Sequence, residues 1–132
     1  MGQRLAADKA EHEPDIIVID TGRNDGWSPK VERAMNTYVA SLRKAFPHAK
    51  LVQIVPFYMR SPVSHYGGAV AAAMKKTMTK YHGVLIDPFA EGWVGEQTPA
   101  RSMVHEDEVH PDTRGHAYIA THMVRSLKRA LA

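Results

Sequence analysis

The 132 residues contain no cysteine. That absence removes disulfide scaffolds, thiolate nucleophiles and zinc ribbons from consideration, and it is compatible with any compartment. Long apolar runs are missing too: none approaches the ~20 residues needed to cross a bilayer. The opening MGQRLAADKAEHEP lacks the apolar centre of a secretory signal and carries acids where one would be out of place. It also lacks the Ser or Thr that a myristoylated Met-Gly start carries at its sixth position. An excess of one charge is absent as well, the formal balance being +3. The cations Lys75, Lys76, Lys80, Arg125, Lys128 and Arg129 collect toward the ends of predicted helices, where they complement the helix dipole. They read as solvated helix ends, and no nucleic-acid face is expected.

What remains is an ordinary globular composition, 44% hydrophobic and 23% charged, expected to fold as one domain over 1–132. A chain of this length buries roughly 70% of its unfolded surface around a single core. Three short apolar runs stand out: DIIVID at 15–20, KLVQIVPF at 50–57 and GVLIDPF at 83–89. They are rich in β-branched residues and do not alternate cleanly, which predicts strands covered on both faces, as in a parallel sheet. Between them lie helical stripes. Val31, Ala34, Met35, Tyr38, Val39, Leu42, Ala45 and Phe46 recur at helical spacing, with Ser28 as the expected N-cap and Pro29 as the first helical residue. Val70, Ala73, Met74, Thr77, Met78 and Tyr81 repeat the pattern, and after a polar loop at 90–111 so do Ile119, Ala120, Met123, Val124, Leu127 and Leu131.

With a short N-terminal helix in front, the order is α-β-α-β-α-β-loop-α. Right-handed crossovers then give a three-layer α/β/α unit of flavodoxin-like shape, with about three parallel strands. Strand 50–56 is expected in the middle, flanked by 83–88 and by 15–21, the latter an exposed edge. No internal repeat, low-complexity tract or linker interrupts the chain.

Two segments carry residues suited to chemistry. The first, PDIIVIDTGRNDGWSP at 14–29, ends a strand in a turn bearing Gly22, Asn24 and Asp25. It is either a plain turn or a site, since strand ends of α/β sheets are where ligands collect. The second is HEDEVHPDTRGHAYIA at 105–120. Its His105 and His110 are five apart with Pro111 adjacent, which fails the i, i+4 spacing of a helical zinc site. Asp107 and His110, three apart just before a helix, suit a carboxylate that fixes an imidazole tautomer and frees the other nitrogen as a base. The competing reading makes Asp107 one acid of a solvated loop. No Gly-rich strand-to-helix phosphate loop is present, so a nucleotide cofactor is not expected.

The pair of segments resembles the SGNH hydrolases, the GDSL-type esterases and lipases, over essentially the whole chain. Gly22 and Asn24 in GRND match the block whose asparagine donates to the oxyanion. Asp107 and His110 in DEVHP match the block holding the catalytic acid and base. The resemblance implies serine-ester hydrolysis of a small-molecule, glycan or lipid ester, without metal or organic cofactor. The family's first block, a Gly-Asp-Ser-type turn with the nucleophile, is expected upstream of everything here. Its second block, with a glycine N–H for the oxyanion hole, is not matched either. Ser28, Ser61 and Ser64 are the local serines that could substitute, although Ser28 has a capping role and Ser64 beside His65 fits a polar lid as well as a dyad. The serine is therefore expected from another segment or a partner chain. The alternative is a non-catalytic binding or assembly module that retains the fold, joining partners through the 15–21 edge.

Overall fold

The computed structural model describes residues 2–22, 28–60 and 67–132. Helix α1 (Gly2–Glu11) precedes β1 (Ile16–Ile19), α2 (Pro29–Ala45), β2 (Lys50–Ile54), α3 (Gly67–Lys80), β3 (Val84–Ile86), a 3-10 turn at Pro99–Ser102, and α4 (Thr113–Leu131). The sheet order is β1-β2-β3, and both pairings are parallel, with Val18 beside Val52 and Val52 beside Val84. The expected topology is the observed one, with strands shorter at their carboxyl ends than the apolar runs.

Alternation along the strands divides the core in two. Ile17, Ile19, Leu51 and Leu85 face Val39, Leu42 and Phe46 of α2 and Met78 of α3, with Leu5 of α1 at the margin. Val52, Ile54 and Ile86 face the other way, toward Tyr118, Ile119, Met123, Leu127 and Leu131 of α4. Helices on both sides of a parallel sheet make the three-layer α/β/α architecture. The N-cap of α2 is as expected: the Ser28 hydroxyl accepts from the Val31 N–H at 3.3 Å, and Pro29 opens the helix.

Three expectations are corrected. The first strand is not covered on both faces, because Ile16 and Val18 are 42% and 45% exposed. Helix α4 packs over the β2 and β3 side chains, and Ile16 and Val18 stay outside that cluster, each with a large part of its surface open to solvent. The segment after β3 is also more than a polar loop. Trp93, Val94 and Ala100 are fully buried and join the α4-side core, so this stretch fills space that a helix or strand would otherwise fill. On α4 the predicted stripe is rotated slightly: Val124 is exposed while Ser126 and Gly115 are buried. A side chain at Gly115 would overlap the Met103 carbonyl and come within 2.8 Å of Pro111 Cβ. That close approach seats the first turn of α4 on the preceding loop.

Candidate functional site

The carboxyl ends of the strands present three loops. Gly22 follows β1 with φ +93, a conformation glycine adopts without steric cost, and a Cβ there would lie 3.8 Å from Pro56 beyond β2. Asn24 falls outside the described residues, as do Ser61 and Ser64. Arg60 ends the described stretch after β2. The third loop, between β3 and α4, carries the acid and the imidazole.

That loop folds back on itself. The His105 N–H donates to the His110 carbonyl and the Glu108 N–H to the His105 carbonyl, both at 2.9 Å. Val104 and Pro111 form an isolated antiparallel bridge. Asp112 then caps α4, accepting from the Gly115 N–H at 2.8 Å. Within this turn Asp107 uses both carboxylate oxygens. Its Oδ1 accepts from the Val109 and His110 N–H groups at 2.9 and 3.0 Å, a side-chain turn typical of aspartate. Its Oδ2 lies 2.6 Å from His110 Nδ1. The His110 imidazole hydrogen bond, followed by the two backbone N–H groups, holds the Asp107 carboxyl well below the usual carboxylate range. A proton on Nδ1 is thereby favoured, and Nε2 is left as the free nitrogen.

Asp107 and His110 are thus brought together, at the sheet end defined by the Arg60 contact with Glu108 (2.8 Å). Both side chains are open to solvent, 49% and 72% exposed. The Ser28 hydroxyl serves as the α2 cap, and among the described residues no hydrogen bond joins it to Asp107 or His110. Among the described residues no group of three His, Cys, Asp or Glu side chains could hold a metal ion. Sequence reasoning did not find Arg60, because nothing in the local pattern of YMRSP signals a partner 48 positions away.

The GDSL-like lipase/acylhydrolase family matches residues 1–118, and the chain belongs to that family. Among solved structures, a carbohydrate esterase family 3 protein from Talaromyces cellulolyticus is similar in fold, with a TM-score of 0.63 at 18% identity. The match covers 95% of this chain and 62% of that one, so this chain spans less than two thirds of that structure's length. No curated protein matches the chain.

Proposed function

We propose that this chain supplies the acid–base pair and part of the oxyanion hole of a serine ester hydrolase. His110 is the general base, Asp107 its orienter, and Asn24, of the block that also holds Gly22, the oxyanion donor. The nucleophilic serine comes from a segment or partner chain beyond residues 1–132. The observation that carries this reading is the 2.6 Å contact between His110 Nδ1 and Asp107 Oδ2, in a chain of the GDSL-like family.

The chemistry follows from the free Nε2. It takes the serine proton as the oxygen attacks the ester carbonyl, and returns it to the departing alcohol. Water then repeats the sequence on the acyl-enzyme. The Asp107 carboxylate stabilises the imidazolium formed at each step, while the Asn24 amide donates to the oxyanion. No metal or organic cofactor takes part. The substrate class is a small-molecule, glycan or lipid ester.

A second reading, an assembly module that keeps the fold without catalysis, is favoured by the exposed Ile16 and Val18 on β1. A fluorophosphonate probe added to lysate of the native source separates the two. Labelling of a larger polypeptide or complex containing this sequence supports the hydrolase, and absence of label from every such species supports the module.

A further inference from the structure

We propose that Arg60 is a positioning residue for the Asp107–His110 pair, acting through the backbone of Glu108. The proposal rests on the acid–base reading given above. Arg60 Nη1 lies 2.8 Å from Glu108 Oε1 and its Nε 3.7 Å from Glu96 Oε1. Glu96 in turn meets Arg101 Nε at 3.1 Å. The Arg60 side chain is 27% exposed and that of Glu108 71%, so Arg60 is the anchored end and Glu108 the end that needs holding.

Glu108 has φ +58. A residue with a Cβ reaches that left-handed conformation only against steric resistance, and glutamate has none of the local bonding that helps Asn or Asp there. Yet this backbone geometry turns the next two N–H groups, of Val109 and His110, toward Asp107 Oδ1. With Oδ1 fixed, Oδ2 is aimed at His110 Nδ1. Were Glu108 to relax to negative φ, both donors would rotate away and a half-exposed carboxylate would swing into water. Two contacts oppose that relaxation: the Glu108 N–H bond to the His105 carbonyl and the ion pair with Arg60. Arg60 therefore holds the tautomer of an imidazole it does not touch.

A glycine at 108 separates this role from simple ion-pair stabilisation, because glycine occupies φ +58 unaided. The measurement is the ¹⁵N spectrum of the His110 side chain in residues 1–132, at about pH 9 where imidazoles are neutral. It reads the ratio of Nδ1–H to Nε2–H tautomers. Arg60→Gln should lower that ratio by roughly two- to five-fold, the range that partly exposed ion pairs command. Glu108→Gln removes the charge from the exposed end and should lower it similarly, which keeps the test alive if Arg60→Gln fails to fold. Glu108→Gly should leave the ratio near wild type, and the Arg60→Gln/Glu108→Gly double variant should restore it. An unchanged ratio in Glu108→Gln, or a drop in Glu108→Gly as large as in Arg60→Gln, overturns the proposal. Asp107→Asn is the control: if it leaves the tautomer unchanged, the Asp107–His110 pairing itself is wrong, whatever Arg60 does.

Discussion

Ser126, buried in the last third of α4, donates its hydroxyl to Glu91 Oε2 on the loop after β3. The same oxygen receives Arg129 Nη2 at 2.6 Å and the Trp93 indole N–H at 3.1 Å. Three donors from two segments thus converge on one carboxylate, tying α4 to the β3 side of the sheet. Partial burial pushes the Glu91 carboxyl up, but the bonds from Arg129 and Ser126, the Arg129 charge and the Trp93 bond outweigh it. The net position is below the ordinary glutamate value.

Glu91→Ala should cost roughly 2 kcal/mol, the scale of hydrogen bonds to a charged acceptor, read as a lower urea midpoint at unchanged slope. The folded carboxyl is the stronger acid, so its contribution is present above the unfolded value. It is lost as pH falls through the folded one. The stability gap between wild type and Glu91→Gln should therefore narrow as pH is lowered through the acid range. A gap that widens toward acid would reverse the assigned direction.

Asp107 should remain ionised well into acid. Its carboxyl ¹³C resonance should show no titration step between about pH 3 and 5, where ordinary carboxylates respond. In His110→Ala the step should reappear toward that range, since the imidazole is the first cause of the depression. The linkage has the same sign as for Glu91, so whatever the pair adds to the loop is present at neutral pH and lost only in strong acid. A wild-type Asp107 that titrates normally would remove the pairing from the account.

Much of this molecule is written locally. Strand order, crossover helices and the Ser28–Pro29 start of α2 follow from β-branched runs, a 3.6-residue period and capping chemistry. Asp107 and His110 were legible because three residues on one turn suffice to join them. What the sequence hid are side chains that reach across it. Arg43 donates to the carbonyls of Pro47, Ala49 and Tyr81, closing the carboxyl ends of α2 and α3 together. Arg60 to Glu108 and Ser126 to Glu91 span 48 and 35 positions. Such pairs depend on which loops pack side by side, and no local period encodes that. Trp93 was misplaced for the same reason: a polar neighbourhood in sequence became a core position once α4 folded over it.

The β1 edge should drive association. Ile16 and Val18 expose apolar surface on a strand that pairs only with β2 among the described residues, and such an edge is a template for another chain. Purified 1–132 should self-associate at high concentration, and Val18→Lys should reduce the association by placing a charge on that face. A wild-type chain that stays a monodisperse monomer by light scattering would count against both edge and face as contact surfaces.

Residues 1–132 alone should hydrolyse esters poorly or not at all. Triad members act as a unit: losing the serine of a serine hydrolase costs roughly a million-fold in turnover, about as much as losing all three. The residual ~10³ to 10⁴ over water in such variants comes from an intact oxyanion hole and substrate binding. On the proposed reading, Asn24 is the one oxyanion donor this chain supplies, and a single missing donor is already worth ~3 kcal/mol. The Ser28 hydroxyl accepts the capping bond of α2, and Ser28→Ala should show a stability loss of about 1 kcal/mol with no change in rate. On the same reading the chain supplies a solvent-exposed imidazole beside a carboxylate that holds its Nδ1. That arrangement supports faint turnover of activated aryl esters, and His110→Ala should abolish it. The assay is nitrophenyl acetate hydrolysis by wild type, His110→Ala, Ser28→Ala, Ser61→Ala and Ser64→Ala. Robust turnover that one serine variant eliminates would place the nucleophile within these residues and refute the split-site reading.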